Sequence, residues 1–210
     1  MMTDAEKLIV KELNPFFRNK EYQWLQHLQQ FRKLRKNGFH NILINVKGYP
    51  SLIDVKLGVR IEMVEQLAYQ FTTGLSDYQV HSNTLMIKMG ELIDQPHLRF
   101  EAKHEEDIKA AALQIMGFMQ TKGFAFLEEH SEVNRLDKLF NDNPYHKLIY
   151  TYNAYNRCLR GIVLARLAGR RDFQELVNIY RKSLLKKNTP PQLMEKYDKL
   201  SKFLKNFSLN

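Results

Sequence analysis

The sequence has almost no cysteine and no long run of apolar residues. Cys158 is the only cysteine among 210 residues, so the chain can form no internal disulfide and no zinc site made of several cysteines. No stretch approaches the roughly eighteen consecutive apolar residues that a membrane-spanning helix needs. The first residues, MMTDAEKLIVKEL, have acids where a secretory signal has a basic segment followed by a long apolar run. We therefore expect a cytoplasmic protein with no membrane partner.

Motifs that mark common catalytic and cofactor sites are also missing. There is no G-x-G-x-x-G, no G-x-x-x-x-G-K-[ST], no G-x-S-x-G and no H-E-x-x-H, and no histidine lies four residues from another. Residues 103–109, KHEEDIK, group one histidine with three acids, but acids in this position are typical of a helix start. We therefore expect no cofactor, no metal site and a non-catalytic protein. An enzyme whose site residues come from distant parts of the chain remains the third alternative.

Positive charge is concentrated in the last third of the chain. Residues 141–210 contain 14 Lys and Arg against 5 Asp and Glu, whereas residues 1–140 contain 18 of each, so the whole net charge of +9 lies after residue 140. Hydrophobic residues make up 44% of the chain, enough for a sizeable core. A charge imbalance of this kind can mark a functional face.

The first half of the chain has the pattern of a small antiparallel sheet with helices beside it. Thr3 or Asp4 can cap a helix that runs to about Leu13 and ends before Asn14-Pro15. Residues 21–36 fit either a helix or a strand, and the NG that follows favours a strand for their later half. Alternating apolar residues then predict three further elements of sheet and one helix: strands at 42–46, 53–61 and 84–90, and a helix at 62–71. Three or four strands are expected in all.

From His104 onward the apolar period is helical throughout. Gly169 is expected to end a long helix, Asp172 to start the next one, and Thr189 to cap the last. The predicted helices cover residues 105–120, a short segment within 123–140, 145–168, 172–187 and the chain after 189.

These patterns predict an α+β fold in a single domain, residues 1–210. Residues 1–102 are expected to form mainly a small antiparallel β-meander with flanking helices. Residues 103–210 are expected to form a helical C-terminal layer that packs against it and is basic from about residue 141.

Two phrases of the helical half, GFAFLEE at 123–129 and ARLAGRRD at 165–172, carry a resemblance to a known family. Together with the order of elements, they resemble a bacterial family known only as a domain of unknown function (family 4304). The resemblance implies no catalytic residues. Single-module α+β domains include immunity proteins that neutralise bacterial toxins, which is an analogy at the level of fold. Inhibitors of nucleic-acid-cutting toxins usually imitate an acidic substrate, and this chain is basic.

The segment RCLRGIVLARLAGRRDF, residues 157–173, contains five arginines. On a helical wheel they form no single stripe. Arg157 and Arg160 are expected at a solvated edge, and Arg170 and Arg171 in the turn after the helix, where positive charge is favourable. Arg166 falls inside the apolar arc. It is therefore predicted either to pair with an acid of the first half or to contact an anionic ligand.

The last helix separates apolar residues from lysines. Leu193, Tyr197, Leu200, Leu204 and Phe207 share one face, with Phe203 beside them, and lysines occupy the other. The predicted anion or nucleic-acid surface consists of Lys182, Lys186, Lys196, Lys199, Lys202 and Lys205. We expect an interaction protein that binds another protein, with an immunity-type role as one form of this function. The alternative is a nucleic-acid-associated protein, because phosphates attract such a surface.

Overall fold

A computed structural model describes residues 2–72, 79–146, 148–149 and 153–208 of the chain. These residues form two compact units. Unit 1 comprises Met1–Val59 and Met86–Glu129, and unit 2 comprises Arg60–Leu85 and His130–Asn210. Antiparallel strands and helices occur together, which confirms the predicted α+β class.

The sheet contains six strands among the described residues. Their order is β1-β2-β3-β4-β5, and β6 pairs with β4. The strands are β1 Gln23–Leu25, β2 Gln30–Arg35, β3 Gly38–Lys47, β4 Ser51–Ile61, β5 Leu85–Lys88 and β6 Phe100–Ala102. The sheet has more strands than the three or four expected. The strands β1 and β6 are not predicted because they have only three residues each, too few to show an alternating pattern.

Strand pairing aligns the apolar side chains of the sheet. In the antiparallel register Trp24 lies opposite Phe31, and Phe31 lies opposite Ile42. The strand interpretation of the later half of residues 21–36 is therefore confirmed. Along β4 the alternate residues from Ile53 to Val59 are buried as predicted, but Arg60 is buried as well, with only 3% of its surface exposed.

The helix α1, Asp4–Arg18, begins as expected and ends later than expected. The Thr3 hydroxyl accepts from the amide of Glu6, and the Glu6 carboxylate accepts from the amide of Thr3, which forms a capping box. The predicted end before Pro15 is wrong, since Pro15 lies inside the helix. An internal proline costs about 3 kcal/mol. Continuing the helix offsets this cost because it buries Phe17 completely, on the same face as Ile9 and Leu13.

All regular elements of the described chain after Glu105 are helical, as predicted. They are α3 Glu105–Phe118, α4 Phe124–Glu129, α5 Val133–Asn141, α6 Ala154–Leu167, α7 Phe173–Lys186 and α8 Pro191–Asn206; the predicted helix at residues 62–71 is α2, Glu62–Tyr69. A π-helical turn at Met119–Gly123 joins α3 to α4. The predicted short helix within 123–140 is therefore divided in two. Its first part is α4, which continues from α3 through the π-helical turn, and its second part is the separate helix α5.

Unit 2 is organised around α6, which contacts α2, α5, α7 and α8. The helix starts at Ala154 and not at residue 145, because Asn153 caps it by accepting from the amide of Asn156 at 2.7 Å. Residues 147 and 150–152 of the predicted helix lie outside the described residues. Gly169 ends α6 with a φ of +67°, as predicted.

The caps of the last two helices differ in part from expectation. Asp172 precedes α7 as predicted, although its carboxylate binds Arg170 and makes no capping hydrogen bond. Thr189 is not the cap of α8, since the extended Pro190 occupies that position and Pro191 is the first helical residue.

Candidate functional site

Five of the six predicted lysines are exposed on two neighbouring helices of unit 2. Lys182 and Lys186 lie on α7, four residues apart, and Lys199, Lys202 and Lys205 lie on α8. The opposite face of α8 is buried through Met194, Tyr197, Leu200 and Leu204. The prediction that the lysines of α8 point outward is therefore confirmed. We call these five lysines, together with the groove described below, the α7–α8 surface.

Lys196, the sixth predicted residue, does not belong to this surface. Its ammonium donates to the carbonyl of Thr72 at 2.9 Å, and the residue is only partly exposed. The position follows from the helical wheel, on which Lys196 lies at the edge of the apolar face of α8. The lysine therefore fixes the segment after α2 rather than presenting a free charge.

The acids of the α7–α8 surface are neutralised, whereas most of its lysines are not. Glu195 pairs with Lys199 at 2.7 Å, and Asp198 pairs with Arg181 at 2.8 Å. Lys182, Lys186, Lys202 and Lys205 pair with no carboxylate in the described parts of the chain. Residues 181–206 contain eight Lys and Arg against two Asp and Glu, a net charge of +6. The surface therefore presents an uncompensated positive potential.

A shallow groove of about 580 Å³ lies between α7 and α8. Leu185, Thr189, Pro191 and Met194 line it together with Glu195, Asp198, Lys199 and Lys202. Half of the surface of Leu185 is exposed, although it is a large apolar residue. Lys205 continues the row of Asp198 and Lys202, about 60° from Lys202 at 100° per residue. Lys202, which has no carboxylate partner among the described residues, and the exposed apolar side chain of Leu185 thus line the same groove.

This groove has little signal in the amino-acid sequence. A weak sequence signal is the pair Leu184-Leu185, since consecutive residues on a helix lie about 100° apart and the second of them falls at the edge of the apolar arc of α7. Leu184 is fully buried and Leu185 is not. Pro191 and Met194 gain their position only because α8 folds back along α7, where the hydroxyl of Tyr197 donates to the carbonyl of Val177 at 2.9 Å.

Arg166 is used inside unit 2. Its Nε donates to the carbonyl of Phe207 at 2.9 Å, and its Nη2 donates to the same oxygen. Phe207 is the residue that follows the last turn of α8, where carbonyls lack helical partners and carry partial negative charge. The partner is therefore a helix end and not the predicted acid of the first half.

The prediction of a solvated edge for Arg157 and Arg160 is wrong. Arg157 donates to the carbonyls of Phe140 and Pro144 at 3.2 and 2.9 Å. Arg160 forms a bidentate pair with Glu65, at 2.8 Å from Nε and 2.7 Å from Nη2. Burial of Glu65 acts to raise its pKa, but the charge and hydrogen bonds of Arg160 outweigh it, so the pKa lies below its ordinary value.

Arg170 also has structural partners. Its guanidinium binds the carboxylates of Asp172, Asp142 and Asp137 at 2.7, 3.0 and 3.2 Å. The hydrogen bonds from Arg170 hold the pKa of Asp172 below its ordinary value. The expected role of Arg170 as a turn residue is thus extended, since it ties the turn to the end of α5.

The cysteine and the candidate metal ligands are the remaining side chains to consider for a catalytic or metal site. Burial raises the pKa of Cys158 to about 12, which outweighs the nearby Arg157 and Lys187 and makes the thiol a poor nucleophile. The described residues contain no group of three or more His, Cys, Asp and Glu that could hold a metal ion. Within the same residues, every helix is too short or too polar to cross a membrane.

Comparison of the chain with family models, with curated proteins and with solved structures found no match. The resemblance to the family of unknown function therefore stays a prediction. Function has to be argued from the surface and pockets of the chain itself.

Proposed function

We propose that the protein is a non-catalytic binding protein whose α7–α8 surface recognises an acidic segment of a partner protein. The supporting observation is that four exposed lysines without carboxylate partners in the described chain lie on the two helices that form a groove with a half-exposed leucine, and one of them, Lys202, lines this groove. An immunity-type role, in which the partner is a toxin, is one form of this function.

The lysines supply attraction and orientation. Exposed charges of one sign raise the rate of encounter with a partner of the opposite sign and disfavour partners of the same sign. The net charge of +6 over residues 181–206 therefore selects an acidic partner. Lys182 and Lys186 lie on one of the two helices that form the groove, and Lys202 and Lys205 lie on the other.

The groove supplies an anchor for an apolar side chain. Protein interfaces typically combine an apolar centre with a charged, hydrated rim. Leu185, Pro191 and Met194 provide the centre, and the lysines provide the rim. An acidic segment with one Leu, Ile or Phe among its acids matches both features.

Nucleic acid is the alternative, and it is favoured by the net charge alone. Phosphate contacts need exposed lysines but gain nothing from an apolar groove. The one partly exposed aromatic residue of α8, Phe203, already packs on Phe71 and Phe207, with ring centroids at 6.0 and 5.7 Å. Base stacking at this surface is therefore poorly supported.

Selection from a displayed library of random peptides tests the proposal. We expect enrichment of peptides in which Asp and Glu flank one large apolar residue. Leu185→Asp should abolish the enrichment because it places a negative charge in the groove. Leu113→Asp is the matched control, since Leu113 is an exposed leucine of α3 in unit 1; it should leave the selection unchanged. A library without enrichment, or equal loss in both variants, would contradict the proposal.

Charge reversal tests the rim separately. Lys182, Lys186, Lys202 and Lys205 changed together to Glu should remove binding of the selected peptides. The control variant changes four exposed lysines of unit 1, Lys11, Lys36, Lys109 and Lys122, to Glu. It alters the net charge by the same amount and should weaken binding only slightly. Equal weakening by both variants would show that the protein attracts acidic peptides only through its total charge.

A further inference from the structure

Unit 2 contains a second pocket, of about 340 Å³, that the α7–α8 surface does not use. Its lining comes from α2, from the segments around Thr72 and Ser82, and from the first turns of α6. Polar side chains predominate, among them Glu65, Gln79, Asn153, Asn156 and Arg160. The volume is near the lower end of the range of about 300–1,000 Å³ that is usual for ligand pockets. It suits a small metabolite rather than a polymer.

The guanidinium of Arg160 is held rigidly at this pocket. One edge of it, Nε and Nη2, is bonded to the two carboxylate oxygens of Glu65. The side chain of Glu65 is only 3% exposed, and the Ser82 hydroxyl donates to the same carboxylate at 2.9 Å. Because a guanidinium is planar, Nη1 points away from this edge. Nη1 makes no hydrogen bond with any residue that the structure describes.

The support behind Arg160 is itself buried and charged. Arg60, 3% exposed, donates from Nη1 to the Ser82 hydroxyl at 2.8 Å and to the carbonyl of Gln79 at 2.8 Å. Burying two arginines and Glu65 in this way costs desolvation energy that apolar residues would not cost. Such an arrangement holds one hydrogen-bonding group in a fixed direction, as a preorganised binding site requires.

The acid that lines the pocket is neutralised. Arg160 neutralises Glu65, and the ammonium of Lys196 lies at the carbonyl of Thr72, a lining residue. The side-chain amide of Asn156 makes no hydrogen bond to a described residue. The pocket therefore offers several hydrogen-bond donors and no unpaired carboxylate among its lining residues.

We propose that this pocket binds a small organic anion, whose carboxylate or phosphate group accepts hydrogen bonds from Nη1 of Arg160 and from the amide of Asn156. The remaining polar groups, such as Gln79 and Asn153, bind the hydroxyl or carbonyl groups of the same molecule. Ala68 and Leu193 give it a short apolar wall. The site is independent of the proposed peptide surface, so either proposal can fail alone.

Thermal-shift screening followed by calorimetric titration tests the pocket. One arm uses small mono-, di- and hydroxycarboxylates, a second uses inorganic phosphate and small phosphomonoesters, and a third uses the neutral amides of the same acids. We expect at least one anion to bind with one-to-one stoichiometry and its neutral amide not to bind. The first two arms distinguish a carboxylate from a phosphate source. No binding in either anion arm would overturn the proposal.

Two variants locate the site. Asn156→Asp adds a negative charge to the pocket and suits the first turn of α6, where acids are favourable; it should weaken binding at least about tenfold, since like charges in contact are strongly unfavourable. Asn178→Asp, on the exposed face of α7, is the matched control and should bind normally. The double change Glu65→Leu with Arg160→Met replaces the ion pair by apolar side chains, and it should abolish binding while the protein remains folded. Normal binding by Asn156→Asp or by the double variant would overturn the proposal.

Discussion

The two units are stabilised by different kinds of side chain. Unit 1 buries a cluster of aromatic rings, in which Phe31 lies 4.5 Å from Phe17 and 4.9 Å from Trp24 between centroids. Unit 2 instead holds four arginines, from the end of β4, from α6 and from the turn after α6, with carboxylates and carbonyls: Arg60, Arg157, Arg160 and Arg170. Apolar packing is not directional, whereas each guanidinium fixes its partners in one geometry. Unit 2 also has a buried apolar core, and the arginines add contacts of defined orientation to it. Both candidate binding sites lie in this unit.

The largest expected effect separates these two kinds of stabilisation. Glu65→Ala should lower the free energy of unfolding by about 3–5 kcal/mol, because it leaves the guanidinium of Arg160 buried without its carboxylate. Chemical denaturation measures the loss, and hydrogen exchange should place it among the amides of α2 and α6.

The double variant Glu65→Leu with Arg160→Met sharpens this test. Replacing a buried ion pair by apolar residues is often neutral or stabilising, so the double variant should recover most of the stability that Glu65→Ala loses. If both variants are equally unstable, the side chains of Glu65 and Arg160 stabilise unit 2 through their packing and not through their opposite charges. If Glu65→Ala costs under about 1 kcal/mol, unit 2 does not depend on its ion pairs as described.

Gly161 tests how closely unit 2 is packed around α6. A Cβ atom at this position would lie 2.7 Å from the ring of Tyr180. The ring cannot retreat easily, because the Tyr180 hydroxyl donates to the side chain of Asn141 at 2.7 Å. Gly161→Ala should therefore lower the melting temperature, with a destabilisation of about 1–3 kcal/mol.

Gly117 on α3 of unit 1 is the matched control. A Cβ atom there would meet nothing within 4 Å, so Gly117→Ala should stabilise the protein by about 0.5–1 kcal/mol through helix propensity alone. Opposite signs for the two substitutions are expected. The same sign for both would show that the contact with Tyr180 is not a constraint.

Acidification should affect the two units in different pH ranges. Burial, with smaller contributions from Arg35 and Lys33, lowers the pKa of His40 in unit 1 to about 4. His40 therefore becomes protonated near pH 6.5 in the unfolded chain but only near pH 4 in the folded unit. Because the unfolded state binds more protons between these two values, the free energy of unfolding falls as the pH decreases from 6.5 to about 4. In unit 2 the lowered pKa values of Glu65 and Asp172 affect stability at more acidic pH. The stabilisation from these two carboxylates is complete above their ordinary pKa values of 4.5 and 3.8 and is lost as the pH falls below them.

Unfolding measured as a function of pH checks this order. His40→Gln should flatten the decrease between pH 6.5 and 4, an effect on the order of 1–2 kcal/mol by pH 5. Hydrogen exchange should show the wild-type decrease first in unit 1. An unchanged slope in His40→Gln would show that His40 is protonated normally in the folded protein.

The sequence predicts the parts of the structure that depend on local patterns. Alternation places the strands of residues 42–46 and 53–61, and Gly169 marks the end of α6, because each follows from the conformation of a few neighbouring residues. Lys199, Lys202 and Lys205 of α8 are placed correctly for the same reason, since the buried face of one helix fixes its exposed face.

The partners of the arginines could not be predicted in this way. Arg160 pairs with Glu65, 95 residues earlier, and Arg170 with Asp137, 33 residues earlier. Only the tertiary fold brings these groups together, so a helical wheel assigned Arg160 to a solvated edge. The predicted end of α1 before Pro15 is wrong for a related reason. The local rule ends a helix before proline, but the burial of Phe17 outweighs this preference. Both candidate pockets depend on such distant contacts.

The most direct test of the α7–α8 surface compares two labelled ligands at low and near-physiological salt. One is an acidic peptide with a single leucine, and the other is duplex DNA of matched charge. Fluorescence anisotropy should show that the peptide binds the wild-type protein at both salt concentrations. Binding should disappear when Lys182, Lys186, Lys202 and Lys205 are changed to Glu and persist when the four control lysines of unit 1 are changed. Tighter binding of the DNA, with a steep dependence on salt and the same sensitivity to the surface lysines, would contradict the proposed protein partner and assign the surface to nucleic acid.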